Sequence, residues 1–240
     1  MTDNNYDEGY LSWKNWGGDK FGELIDKDSS DFSSEISRTK RRFIKGSRVL
    51  DVGFGNGNFL AFSKKRNWEV TGIEINKNLI DIALEKGFDV IHCKSLEQFN
   101  SDTFDLVVAF DVLEHFDHNS VEMFLREIKR ILKNDGIFLA KFPNGDSPFG
   151  LSNQNGDITH LISIGSNKAR YWADNVGLEI VYIGANAMPI LTRDLKFMLQ
   201  RFLSVPIRKT LNFITNLIFF PRFNISFFSR DLTLILRKPE

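Results

Sequence analysis

Four short stretches of the chain carry residue types at spacings that could do chemistry. The first is Val49-Leu50-Asp51-Val52-Gly53-Phe54-Gly55-Asn56-Gly57-Asn58-Phe59, with three alternate glycines behind an acid. Glycines at a strand-to-helix turn let backbone N–H groups approach a ligand with no Cβ in the way. A dinucleotide fingerprint needs G-x-G-x-x-G, but position 58 is Asn. The second stretch, Val70 to Asn76, places Glu74 at the end of an apolar run. A carboxylate there, beside a glycine loop, can accept both hydroxyls of a ribose. The third is Asp111-Val112-Leu113-Glu114-His115, with Asp117 and His118 close behind. Such a set offers a base, or ligands for an ion that acidifies an acceptor hydroxyl. Glu114 and His115 could equally brace the junction between a strand and a helix. The fourth is Asp157-Ile158-Thr159-His160-Leu161. A neutral imidazole near pH 7 makes His160 a candidate general base, against the plainer reading of a loop histidine bonded to backbone.

These groups need a scaffold, and the pattern supplies alternating strands and helices. Strands are expected at Arg48–Val52, Glu69–Ile75, Asp89–Cys93, Phe104–Phe110, Gly136–Phe142, Leu178–Ile183 and Leu232–Leu236. The continuous apolar run FDLVVAF suits a strand buried on both faces. Helices are expected at Phe32–Ile44, ending at Gly46, and at Phe59–Arg66, Lys77–Lys86, Val121–Leu132 and Ser166–Asn175, with a loop from Asn144 to Gly156. The order predicts an α/β fold, a doubly wound, seven-stranded and mostly parallel sheet.

The ordered set D-x-G-x-G-x-G, an acid ending the next strand, FDLVVAFDVLEHF and LKNDGIFLAKFPN resembles the class I S-adenosylmethionine-dependent methyltransferases. It is most similar to their ubiquinone-biosynthesis-like and surface-glycan O-methyltransferase branch. The resemblance covers roughly Arg38 to Ile183 plus the last strand, and implies S-adenosyl-L-methionine as cofactor and S-adenosyl-L-homocysteine as product. It implies that Asp51, Gly53 and Gly55 hold the methionine part, with Asp51 facing its ammonium and Gly57 keeping the loop tight. Glu74 would take the ribose hydroxyls and Ile75 would pack on adenine. The loop Lys94-Ser95-Leu96-Glu97 would flank adenine through Ser95 and Leu96, without the Asp that relatives often carry there. Phe110 and Asp111 would lie near the sulfonium. His160, His115 and Asp111 are the expected catalytic residues, and no metal is expected. Under the alternative of a quinone-type enzyme acting on a lipid substrate, Asp111, Glu114 and His115 would hold one. A further alternative is a non-catalytic cofactor-binding partner.

The flanks add to this core. Tyr6, Tyr10, Trp13 and Trp16 recur every three or four residues, as on one helical face, and in relatives such a segment closes over the cofactor as a lid. About 45 residues separate the last two strands. Apolar positions 195, 198, 199, 202 and 207, 211, 214, 218 predict two helices divided by Pro206, the second ended by Pro221. Six bases in this insert face one acid, Asp194, which suits a membrane interface as well as a helical cap or a dimer face. The 240 residues are therefore expected to form one domain: a lid segment at 1–36, a cofactor-binding core at 37–188, a basic amphipathic insert at 189–229 and a last strand at 230–240.

Composition narrows the function. With 31 bases against 31 acids, a general nucleic-acid coat is not expected, and no Asn-Pro-Pro-Tyr-like motif follows the fourth strand. A single cysteine, Cys93, excludes an internal disulfide and a multi-cysteine zinc site. No apolar run reaches the roughly 18 residues of a spanning helix. The expectation is a cytoplasmic enzyme that methylates an oxygen of a glycan, glycolipid or other small acceptor, with residues 193–228 as a candidate membrane surface.

Overall fold

A computed structural model of the chain describes residues 8–190, 195–222 and 224–240. Tyr6, Arg193 and Asp194 lie outside the described residues. Seven strands form one sheet: β1 (Arg48–Val52), β2 (Glu69–Glu74), β3 (Val90–His92), β4 (Phe104–Phe110), β5 (Leu132–Pro143), β6 (Glu179–Ala185) and β7 (Asp231–Arg237). Their order is β3-β2-β1-β4-β5-β7-β6. The first five pair in parallel, and β7 runs antiparallel between β5 and β6. The described helices are α1 (Glu8–Lys14), α2 (Asp26–Arg38), α3 (Asn58–Lys65), α4 (Lys77–Glu85), α5 (His118–Ile131), α6 (Leu151–Gly156), α7 (Ser166–Val176) and α8 (Leu195–Phe219).

Strand β4 shows why the sheet is covered on both sides. Successive side chains of a strand point to opposite faces. Leu106 and Val108 join Phe59, Phe62 and Ile137 in one core, whereas Val107 and Ala109 join Leu125, Ile128 and Phe138 in the other. All four β4 residues are fully buried. Local signals fix the helix ends. The Asn76 side chain accepts from the N–H groups of Asn78 and Leu79 at the start of α4, and Asp117 does the same for Asn119 and Ser120 at the start of α5. Such a cap contributes about 1 kcal/mol. Gly177 closes α7 in the left-handed conformation.

Besides starting β5 at Leu132 rather than Gly136, the structure departs from the sequence pattern in three places. Helix α2 begins at Asp26 and stops at Arg38, because the Thr39 hydroxyl bonds the Ile36 carbonyl and Lys40 turns to positive φ. Gly46 therefore belongs to the turn before β1, where its N–H donates to the Asn67 carbonyl. The loop after β5 contains the short helix α6. The insert is one helix, α8, with Pro206 inside it. A proline there forfeits one backbone hydrogen bond, and α8 continues through the loss. It ends just before Pro221, as the sequence suggests. Strand order reverses between β1 and β4, so a crevice opens at their carboxyl ends.

Candidate active site

A cleft of about 1020 Å³ occupies that crevice. Asp51, Gly53, Gly55, Glu74, Ile75, Ser95, Leu96, Phe110, Asp111, His115 and His160 all line it. Gly57 stands behind the wall as the residue before α3, at φ +72°, where an added Cβ would lie 2.6 Å from the Phe21 ring. Gly53 and Gly55 also have positive φ. A Cβ on Gly55 would sit 3.1 Å from Trp16. The glycine loop is thus tight because the N-terminal segment presses on it.

Two carboxylates converge where β1 and β2 end. Asp51 pairs across to Gly72, two residues before Glu74. Glu74 accepts from three backbone N–H groups, those of Gly55 (3.3 Å), Ile75 (2.7 Å) and Asn76 (3.1 Å). Burial still pushes its carboxyl upward. Asp51 is 2% exposed, and its Oδ2 has no hydrogen-bond partner among the described residues. Burial first, and then the neighbouring Glu74, push the Asp51 carboxyl up to about 8. A buried acceptor with no partner costs about 1–3 kcal/mol, so this pocket is shaped for a donor or cation that the chain does not supply. An ammonium group beside Asp51 and a ribose beside Glu74 fit these atoms.

The far side of the cleft is built from the segment after β4 and from residues 157–160. Asp111 adopts φ 56°, unusual for a non-glycine residue, and pairs with Lys141 at 3.3 Å. Asp111 is the main cause that raises the Lys141 ammonium. Glu114 is fully buried, with neither side-chain oxygen hydrogen-bonded among the described residues. Burial and the charge of Asp111 raise its carboxyl well above the usual range. The His115 Nδ1–H donates to the Thr159 carbonyl at 3.2 Å, leaving Nε2 as the basic nitrogen. The His160 Nδ1–H likewise donates to the Gln154 carbonyl at 3.1 Å. Its Nε2 faces Glu114 at 3.8 Å and Asp157 at 3.7 Å. The two rings meet edge to face at 4.8 Å, and burial lowers the pKa of both, so both are neutral at pH 7.

The structure therefore brings His115 and His160 together with Glu114 and holds Asp111 apart on Lys141. One ligand atom from each of Glu114, His115 and His160 lies within 4.8 Å of the others, a spacing that could hold a metal ion. That set differs from the Asp111, Glu114 and His115 set read from the sequence.

Lys14 and Asn56 were not singled out in the sequence. Helix α1 reaches over the cleft, where the Tyr10 hydroxyl (3.0 Å) and the Lys14 ammonium (2.6 Å) both meet Asp157. Burial would raise Asp157, but Lys14 and the Thr159 donors outweigh it and hold the carboxyl below its usual range. Asn56 accepts from Gly17 N–H at 2.8 Å and donates to the Lys20 carbonyl at 3.1 Å, clamping the same segment to the glycine loop. The spacing of Lys14 four residues after Tyr10 was the only available hint, since its partner is 143 positions away.

Residues 50–140 match the protein family described as Methyltransferase domain. Over 94 residues, 38% of this chain and 15% of the relative, it is 35% identical to the tRNA (carboxymethyluridine(34)-5-O)-methyltransferase alkbh8 of Xenopus tropicalis. Over 119 residues, 47% of this chain and 46% of the relative, it is 28% identical to the ubiquinone biosynthesis O-methyltransferase of Coxiella burnetii. The chain spans about half or less of the length of the curated relatives it matches. Among solved structures, an S-adenosylmethionine-dependent methyltransferase from Archaeoglobus fulgidus aligns with TM-score 0.66 at 20% identity, covering 97% of this chain and all of that one. Phosphoethanolamine N-methyltransferase 2 of Haemonchus contortus, solved with S-adenosyl-L-methionine, aligns with TM-score 0.63 at 16% identity over 99% of this chain and 58% of that one. Residues 50–140 thus match a methyltransferase domain, and the chain as a whole shares the fold of the solved S-adenosylmethionine-dependent methyltransferases.

Proposed function

We propose that the chain moves a methyl group from S-adenosylmethionine to an oxygen of a glycan, glycolipid or other small acceptor. The observation that carries this reading is the buried, unpartnered Asp51 oxygen beside Glu74, set across one cleft from two neutral imidazoles. The bound cofactor would supply an electrophilic methyl on a sulfonium. Asp51 would accept from its ammonium, and Gly53 and Gly55 would leave room for its methionine part. Glu74 would accept from the ribose, and Ile75, Ser95 and Leu96 would flank the adenine. Phe110 and Asp111 border the path to the acceptor. His160 Nε2 holds a lone pair for the acceptor hydroxyl proton, and Asp157 nearby stabilises the imidazolium that results. Alignment of acceptor and methyl supplies most of the acceleration.

The spacing of Glu114, His115 and His160 favours a second reading, a metal-assisted O-methyltransferase on a quinone-type lipid. There the ion would acidify the acceptor hydroxyl and no imidazole would be needed as base. One assay separates the readings. The protein is incubated with methyl-labelled cofactor and a panel of sugars, glycolipids, catechols and tRNA, with and without a chelator. Label on a sugar or glycolipid, unaffected by chelation, supports the first reading. Chelator-sensitive label on a catechol supports the second, and label on tRNA contradicts both. Cofactor bound without transfer to any acceptor points to a non-catalytic partner.

A further inference from the structure

Helix α8 is amphipathic, but its polar side faces the protein. At about 100° per residue, Leu195, Leu199, Phe202, Leu203, Phe213 and Leu217 share one arc about 100° wide. Each is 58–67% exposed. The opposite arc makes the contacts with the body of the protein. Arg201 is buried there, donating to Asp31 at 2.9 Å and to the Pro189 carbonyl at 2.8 Å. Arg208 reaches the Met188 sulfur at 3.4 Å, and Asn216 exchanges two bonds of 2.8 Å with the backbone of Ile225. Core packing therefore does not account for the apolar arc, and its extent exceeds the scattered apolar exposure of an ordinary surface.

A second feature lies along the edge of that arc. A groove of about 770 Å³ runs beside the carboxyl-terminal half of α8, and Phe213 and Leu217 of the outward arc form part of its wall. Arg38, Arg208, Lys209 and Arg222 line it, with no Asp or Glu among the lining residues. Arg38 also pairs with Glu35, outside the groove. The helix itself, Leu195–Phe219, contains no acid. None of the described helices is long and apolar enough to cross a membrane.

We propose that α8 lies in the plane of an anionic lipid surface. Its outward arc enters the acyl boundary, and the basic groove at its edge takes headgroup phosphates. Lys209 sits at the border of the apolar arc, where headgroups meet a helix lying in the interface, and Arg208 and Arg222 line the groove beside it. A second copy of the chain fits poorly, because α8 contains no acid and a copy packed through this face would bring the basic groove no counter-charge from its own helix. The proposal does not depend on which acceptor is methylated.

Co-sedimentation with vesicles tests it. The full chain should bind phosphatidylcholine vesicles containing half phosphatidylglycerol, bind pure phosphatidylcholine much less, and release as salt rises. Lys209→Gln with Arg222→Gln should lower partitioning about 25-fold at low salt, taking about fivefold per base. Phe213→Ser with Leu217→Ser should abolish binding, and both pairs should keep the wild-type unfolding midpoint and cofactor affinity. Absent binding, or equal binding to neutral and anionic vesicles, overturns the proposal. So does a solution dimer, measured by light scattering, that Phe213→Ser with Leu217→Ser dissociates. Loss of the unfolding midpoint in the serine variant would also overturn it, since the arc would then be core.

Discussion

On the proposed reading, Asp51 makes cofactor binding a proton-release reaction. In the free protein its carboxyl titrates near 8, whereas an unfolded aspartate ionises near 4. Between those values the folded state holds the extra proton. The free protein therefore loses stability as pH rises from about 4 to 8, by up to about 1.4 kcal/mol per pH unit. A bound ammonium reverses the preference, because it needs the ionised carboxylate. About 1% of Asp51 is ionised at pH 6 and about 9% at pH 7, so affinity should rise about ninefold across that unit, with about 0.9 proton released per site at pH 7. Titration calorimetry with S-adenosylhomocysteine, in buffers of differing ionisation enthalpy, reads the proton count directly. Glu74 shares the titration, so Asp51→Asn should bind more weakly and lose most of the pH slope, and Glu74→Gln should also shift it. A binding heat that does not vary with buffer would refute the reasoning, as would an Asp51→Asn variant with the wild-type pH slope.

Three other variants follow from the same geometry. Gly57→Ala adds a Cβ 2.6 Å from Phe21 at positive φ and should cost about 1–3 kcal/mol in urea unfolding, more than Gly87→Ala, whose φ is similar but whose surroundings are open. His160→Ala should lower kcat about 100-fold while leaving cofactor Kd unchanged, and in the wild type the acid limb of the rate profile should lie below the usual histidine value, because burial lowers the ring. Arg201→Ala frees the α8 anchor and leaves Asp31 with Lys27 at 3.6 Å, which should cost about 2–3 kcal/mol and be measurable by chemical denaturation.

The parallel core was legible because its signals are local. FDLVVAF marks a strand buried on both sides, the glycine loop marks the turn after β1, and Asn76 and Asp117 cap the helices that follow their strands. Most of the candidate site lies at the carboxyl ends of those strands, so its members were visible together with them. The parts that were missed depend on distant partners. Lys14 gains its meaning from Asp157, and Asp111 is drawn away from Glu114 by Lys141 on the neighbouring strand. Glu114 and the two histidines meet only because residues 157–160 fold back across the cleft. Helix α8 was misread because a proline usually divides a helix. The apolar periodicity was clear, but periodicity does not reveal which face turns inward. The Arg201–Asp31 pair decides that, and it joins residues 170 positions apart.

Equilibrium dialysis with labelled S-adenosylmethionine tests the central claim most directly, since every proposed role in the cleft begins with that ligand. The account predicts one molecule retained per folded chain. Retention should be weakened by about 2 kcal/mol in Glu74→Ala and lost in Gly55→Val, whose side chain would meet Trp16 and fill the loop. Folded wild-type protein that retains no label, or a Gly55→Val variant that retains it undiminished, would contradict the account.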